Sequence, residues 1–155
     1  MRLTQHTDYA LRLLIALALT ARRAARGGDG AADTITIREV AERYGISRNH
    51  LMKVANDLTR AGVVEGLRGR GGGLRLAVPA AEINIGTLVR ALEDGRDLVE
   101  CFRPETNTCR IAPACRLKGV LRQAQEAFLA VLDGYTLADV VDRPDDLDAL
   151  LQLAG

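Results

Sequence analysis

The chain contains no tryptophan, and only 3% of its 155 residues are aromatic. A hydrophobic core must therefore consist mainly of leucine, valine, isoleucine and alanine, a composition that suits helices. Long apolar runs are also missing. The best candidate, residues 11–19, contains Arg12 and is shorter than the roughly 20 residues that span a bilayer. No secretory signal is visible, so we expect a cytoplasmic protein with no membrane partner, made of one ordinary domain or two small ones.

Catalytic motifs are missing as well. Histidine occurs only twice, and neither His6 nor His50 lies in a recognisable motif. No nucleophile is paired with a base, and the glycine-rich run at residues 68–73 precedes a strand, whereas a phosphate-binding loop opens a helix. The sequence therefore indicates that the protein is not an enzyme.

Cysteine is scarce, and all of it lies in one stretch. Cys101, Cys109 and Cys115 are separated by seven and five residues, and Pro104 and Pro113 predict a loop. In a reducing compartment such thiols indicate metal ligation or redox chemistry. A loop can direct three thiols at one small object, which we interpret as an iron–sulfur cluster. A zinc ion or a bare thiol switch is the alternative, although the close C-x2-C pairs typical of zinc sites are absent.

Charge is unevenly divided, although the net charge of the whole chain is only +1. Residues 1–80 contain 13 Lys and Arg against 7 Asp and Glu, and residues 81–155 contain 8 against 13. A basic half beside an acidic half indicates an N-terminal region that meets polyanions and a C-terminal region that does not.

Residues 4–23 predict a first helix. Asp8 falls in or near its first turn, where a carboxylate complements the helix dipole, and the residues alone favour this role for Asp8. The expected buried face carries apolar side chains at helical spacing, namely Leu11, Leu14, Ile15 and Leu19.

Residues 34–61 predict two helices joined by a short turn. Thr36 and Glu39 have the spacing of a capping box, and Gly45 suits the left-handed residue that ends a helix. Ser47 is expected to cap the second helix. This pattern is typical of a helix-turn-helix, whose second helix enters the DNA major groove, whereas an ordinary helical hairpin is the alternative. Base edges would be read near the start of the second helix by Ser47, Arg48, Asn49 and Lys53.

A β-hairpin is predicted directly after the second helix. Residues 63–65 and 74–78 suit two short strands, and a basic, glycine-rich turn joins them. Such a hairpin is the wing of a winged helix-turn-helix. We expect three arginines at the helix end and the turn to contact DNA phosphates: Arg60, Arg68 and Arg70.

The predicted fold class is mainly α with a small β-hairpin wing. Residues 1–80 would form a winged helix-turn-helix DNA-binding domain, and residues 81–155 would hold the cluster-binding loop and a long dimerisation helix. That helix, residues 116–132, is expected to pair with its copy, since helix-turn-helix proteins usually bind two half-sites by symmetry. Packing within one chain is the alternative. Its apolar side comprises Leu117, Val120, Leu121, Ala124, Phe128 and Val131.

Several segments together resemble the NsrR family, nitric-oxide-sensing repressors within a wider family of iron–sulfur winged-helix regulators that includes IscR. The resemblance covers nearly the whole chain, and the cysteine loop with its flanks is its most specific part. The segments are residues 1–9, 69–77, 98–102, 109–118 and 127–139.

The resemblance implies a homodimer in which the three cysteines of each subunit ligate one cluster, 4Fe–4S rather than 2Fe–2S. It also implies a fourth ligand from the first helix of the other subunit, at the position of Asp8. His6 and Glu100 are the rival ligands. Nitric oxide would be the signal that disrupts this ligation, releases a near-palindromic double-stranded operator and induces nitrosative-stress genes.

Other functions are compatible with parts of the sequence. One is an iron–sulfur or redox- or metal-responsive regulator of cluster assembly or of other stress genes. The first two cysteines, however, stand eight positions apart, which is longer than in IscR-like members. Another is a small electron-transfer iron–sulfur protein, which leaves the basic wing and the helix-turn-helix unexplained.

Overall fold

The computed structural model describes residues 3–27, 33–69, 72–93 and 97–152. Short 3₁₀ turns at Ala80–Glu82, Glu100–Phe102 and Ala112–Ala114 lie between the longer elements. No helix in the described ranges is both long and apolar enough to cross a membrane. In chain order the helices and strands are α1 (Gln5–Gly27), α2 (Ile37–Tyr44), α3 (Arg48–Arg60), β1 (Val64–Leu67), β2 (Gly73–Leu76), α4 (Ile85–Leu92), α5 (Arg116–Asp133), α6 (Leu137–Val140) and α7 (Pro144–Gln152).

Helix α1 forms the centre of the core. It packs against α3, α4, α6 and β2, so its side chains are covered on several sides. Leu13 and Leu17 are almost completely buried, whereas Leu11 and Ile15, expected on the buried face, are only half-buried. Helix α1 therefore buries more than one apolar stripe, because a helix surrounded by other elements buries residues all round.

The helix-turn-helix forms as the sequence predicts. The Glu39 amide donates to the Thr36 hydroxyl at 3.2 Å, and the Thr36 amide donates to the Glu39 carboxylate at 2.8 Å. Gly45 ends α2 with φ = 64°, a left-handed conformation that glycine adopts without strain. The expected inner face of α3, Leu51, Val54, Ala55 and Leu58, is buried.

The wing is an antiparallel hairpin of β1 and β2, in which Val64 pairs with Leu76 and Leu67 with Gly73. Ile35 pairs with Leu74 on the other side of β2, through hydrogen bonds of 3.0 and 2.8 Å. The hairpin is therefore fastened to the segment that leads into α2. Its strands lie slightly off the predicted positions, since β1 ends later and β2 ends earlier.

Helix α4 is tied to the end of α5 and to α6. The Ile85 amide donates to the Tyr135 carbonyl at 3.0 Å, and the Leu137 amide donates to the Ile83 carbonyl at 2.8 Å. The Arg90 guanidinium also binds the Asp133 carboxylate through two hydrogen bonds and lowers the pKa of that carboxyl. These contacts fix the C-terminal end of α5 against the core.

Most of α5 is poorly covered within one chain. None of its residues is buried, and only Leu129 and Leu132 pack partly against the core. Leu117, Val120 and Val131 are 60%, 58% and 63% exposed. The apolar side predicted from the sequence therefore faces away from the core of its own chain.

Candidate metal centre and nucleic-acid interface

The three cysteines lie on a loop shaped by short turns between α4 and α5. Cys101 sits within the 3₁₀ turn Glu100–Phe102, and Cys115 directly precedes α5. The Cys109 amide donates to the Asn107 side-chain oxygen at 3.0 Å, which bends the chain just before this thiol. All three are free thiols and half-buried, so each can be reached from outside.

Side chains of α5 and of the loop itself hold this segment in place. The Arg122 guanidinium lies 5.1 Å from the centre of the Phe102 ring, a cation–π contact beside Cys101. The Thr108 hydroxyl donates to the Glu100 carboxylate at 3.2 Å. Glu100, the rival ligand next to Cys101, is thus already engaged by a neighbour in the loop.

The chemistry of the cysteine loop fits an iron–sulfur cluster, because three accessible thiols outside any disulfide are the donors that iron–sulfur clusters require. Within the described part of one chain, no group of three or more His, Cys, Asp or Glu side chains is placed to hold a metal ion.

Asp8 lies in the first turn of α1, on the surface of the chain. Its two carboxylate oxygens accept hydrogen bonds from Arg12 at 3.1 and 2.8 Å, and its side chain is 45% exposed. It lines an open cleft of 590 Å³, together with Tyr9 and the turn at Tyr44 and Gly45. A carboxylate in this position can be reached by a group from another molecule.

The start of α1 is clamped by a residue that sequence reasoning missed. The Glu93 carboxylate, just beyond the end of α4, accepts hydrogen bonds from the Thr4 amide at 2.9 Å and the Thr4 hydroxyl at 2.8 Å. The buried Thr7 hydroxyl donates to the same oxygen. Thr4 has the sequence signal of an N-cap, but no local signal points to a partner 89 residues away.

Both histidines connect α1 with α3. His6 Nε2 lies 3.2 Å from an Asp57 carboxylate oxygen, and the His50 ring meets the Tyr9 ring edge-on with 4.8 Å between centres. His50 thus packs against α1 through this ring contact. His6, the other rival ligand, already contacts the recognition helix of its own chain.

The candidate DNA-reading face lies at the start of α3. Ser47 occupies the N-cap position, but its side chain makes no capping hydrogen bond, contrary to the prediction. The four predicted base-reading residues project to solvent on one exposed surface: Ser47, Arg48, Asn49 and Lys53.

The predicted phosphate contacts differ in their surroundings. Arg60 is 80% exposed and binds Asp57 at 3.0 Å. Arg68 is exposed just after β1, and Arg70 lies outside the described residues. Arg75 on β2 is paired internally with Glu65 at 2.6 Å and Asp33 at 3.1 Å. The part of the hairpin that the structure describes thus carries one exposed arginine and one whose charge is already paired.

Comparisons with known proteins agree with this architecture. The Rrf2 family, described as "Iron-dependent Transcriptional regulator", matches residues 3–143. The regulator NsrR of Shouchella clausii is 50% identical over 152 residues, which cover 98% of this chain and 96% of the relative. NsrR of Bacillus subtilis is 49% identical over 153 residues, which cover 99% of each.

A solved structure, the oxidised form of Staphylococcus aureus CymR, matches with a TM-score of 0.65 and 29% identity, covering 90% of this chain and 95% of that chain. The predicted fold class and the resemblance to NsrR are both confirmed. The relatives are named transcriptional regulators, which implies a DNA-binding and non-enzymatic role. The chain therefore belongs to the Rrf2 family of transcriptional regulators.

Proposed function

We propose that the protein is a cytoplasmic, iron–sulfur-containing repressor that responds to nitric oxide and controls nitrosative-stress genes. The observation that carries this proposal is the loop of three accessible thiols, joined through α4 and α1 to an exposed helix-turn-helix reading face. The names of the relatives place the chain among transcriptional regulators, and the thiol loop supplies the means of sensing.

DNA binding is assigned to the half formed by residues 1–80. The start of α3 reads base edges, and Arg60, Arg68 and Arg70 hold phosphates. The net charge of +6 in this half favours approach to double-stranded DNA.

Dimerisation is assigned to the half formed by residues 81–155. The exposed apolar side of α5 has the extent and character of a surface covered by a second copy. A symmetric homodimer presents two copies of α3, about 34 Å apart, to the two halves of a near-palindromic operator.

Cys101, Cys109 and Cys115 would hold one cluster per subunit, 4Fe–4S rather than 2Fe–2S, and Asp8 of the other subunit would be the fourth ligand. When bound, the cluster supplies iron that nitric oxide can attack. Asp8 would be a hard and weakly suited ligand for such iron. Arg12 would compete with the iron for this carboxylate through the ion pair described above.

The test is an anaerobic preparation analysed for iron, sulfide and absorbance, then titrated with nitric oxide while DNA binding is followed. The DNA is a labelled duplex that the wild-type protein itself enriches from a random library. We expect a cluster absorbance that nitric oxide bleaches in step with release of the duplex. Asp8→Ala should alter the spectrum or hasten cluster loss, whereas Glu42→Ala, at an exposed position on α2, should not.

A preparation that contains zinc or no metal and binds the duplex regardless of nitric oxide would refute the sensing function. Only the DNA-binding function would then remain. A cluster-containing protein with no salt-dependent DNA affinity would favour electron transfer instead.

A further inference from the structure

The N-terminal end of α1 contacts the recognition helix α3 through residues on both sides of Asp8. His6, two residues before Asp8, meets Asp57, and Tyr9, one residue after it, packs on His50. Residues 6 and 9 are three apart and therefore share the face of α1 that is turned toward α3. Asp8 faces the open cleft instead, with Arg12 four residues later.

His6 and Tyr9 make these contacts from one unbroken helix. α1 is a continuous helix of 23 residues, and most of its apolar side chains are buried. A displacement of Asp8 by a group from outside the chain therefore also displaces His6 and Tyr9. Neighbouring turns of a helix are joined by backbone hydrogen bonds and move together. The displaced contacts are among those that join α1 to α3.

Asp57 connects this junction to a predicted phosphate contact. One carboxylate oxygen meets His6 at 3.2 Å, and the other binds the Arg60 guanidinium at 3.0 Å. Asp57 is half-buried and contacts both residues at once. A change in the position of His6 thus alters how Asp57 holds the end of α3 and its arginine.

We propose that His6, acting through Asp57, is a positioning residue that transmits the ligation state of Asp8 to the recognition helix. This inference rests on the proposed function, since it requires Asp8 to gain and lose a ligand. It adds a contact within one chain that joins α1 to α3.

The proposed link concerns the difference in DNA affinity between the states with and without Asp8 ligation. A switch works only when the two states of the protein differ in affinity for DNA, and the size of that difference measures the coupling. If His6 and Asp57 carry the coupling, removing either one should equalise the two states. The cluster itself should remain, because neither residue would be a ligand.

The experiment measures DNA affinity of the cluster-loaded dimer and of the same sample after nitric oxide, with the duplex enriched by the wild-type protein. The ratio of the two dissociation constants is the readout. We expect about tenfold or more for the wild type and about threefold or less for His6→Gln and for Asp57→Asn. The double variant should show no further loss, because the two residues act through one contact.

Glu42→Gln is the matched control, because Glu42 is exposed on α2 and its carboxylate lies 3.9 Å from the Arg38 guanidinium. It should retain the wild-type ratio. Unchanged ratios in both single variants, with unchanged absorbance, would overturn the link while leaving the proposed function intact.

An altered cluster spectrum in His6→Gln would assign His6 to the cluster and would also overturn the link. A wild-type protein without a cluster, or with a ratio of one, would refute the proposed function and the link together. The wild-type measurement thus separates failure of the proposed function from failure of the link alone, and the variant spectra separate loss of the link from loss of a ligand.

Discussion

At the scale of single residues, the start of α1 depends on one carboxylate from elsewhere in the chain. Glu93 receives three hydrogen bonds from Thr4 and Thr7, and the Thr7 hydroxyl has no access to solvent. A negative group at a helix N-terminus also complements the helix dipole. Glu93 therefore fixes the turn that precedes Asp8.

Glu93→Ala should lower the free energy of unfolding by about 1–2 kcal/mol, because it removes a helix cap and leaves a buried hydroxyl without this partner. Urea unfolding of the cluster-free protein measures the change. Glu82→Ala, an exposed glutamate on the preceding 3₁₀ turn, should change stability by no more than about 0.5 kcal/mol. Equal effects of the two substitutions would contradict a stabilising role of the hydrogen bonds to Glu93.

The capping box predicts a dependence of stability on pH. Hydrogen bonds from the Thr36 side chain and backbone lower the pKa of Glu39, and Arg43 and Arg38 act in the same direction. A depressed folded-state pKa stabilises the protein above the ordinary carboxyl range, and this contribution is lost as the pH falls through the folded pKa.

Glu39→Gln should therefore destabilise the protein near about pH 7, and this destabilisation should shrink toward about pH 3 as the pH falls through the lowered pKa of Glu39 in the folded state. Urea unfolding at the two pH values measures the difference between variant and wild type. A difference that stays constant with pH would show that the charge of Glu39 contributes nothing. Glu42→Gln provides a control at an exposed glutamate on the same helix.

At the scale of elements, the wing places two arginines in different surroundings. Arg68 is exposed at the end of β1, whereas Arg75 is held by Glu65 and Asp33. Hydrogen bonds from Arg75 to these carboxylates raise its pKa, so its charge remains paired within the protein. Only an unpaired cation displaces counterions from DNA with full effect.

Arg68→Gln should weaken DNA binding and reduce the slope of log affinity against log salt by about 1, the value for one phosphate contact. Arg75→Gln should leave that slope nearly unchanged, because its charge is already paired. Fluorescence anisotropy at several salt concentrations measures both slopes. A larger change for Arg75 than for Arg68 would show that the wing approaches DNA by another face.

At the scale of the whole molecule, α5 is an 18-residue helix anchored at its C-terminal end and uncovered along much of its apolar side. Burying this side against a second copy would remove it from water, which is the main favourable term in most protein association. The same arrangement would bring the cysteine loop, which leads directly into α5, toward the partner's α1.

Leu117→Asp should convert the dimer to a monomer in sedimentation velocity, because it places a charge on the exposed apolar side that is proposed as the interface. Operator affinity should fall with it, since two linked half-sites bind more tightly than one. Glu126→Gln is the control, because nine positions along an α-helix of about 3.6 residues per turn lead to the opposite side. A monomeric wild type, or a dimeric Leu117 variant, would contradict the interface.

Much of the local structure was accessible from the sequence, because its signals act over a few residues. The capping box of Thr36 and Glu39, the left-handed Gly45 and the buried face of α3 follow from spacing alone. The apolar side of α5 was also recognised. The sequence could not decide whether this side packs within its own chain, because a pattern shows that a face is apolar without showing which surface covers it.

The sequence by itself determined the order of the elements, the helix-turn-helix with its hairpin, and the grouping of three thiols in one loop. The tertiary structure alone decided the contacts between distant residues: Glu93 with Thr4, His6 with Asp57, and Arg75 with Asp33. Helix caps and apolar periodicity are local properties, whereas these contacts depend on how α1 and its neighbours pack. That packing places Asp8 on an open surface while its neighbours hold the recognition helix.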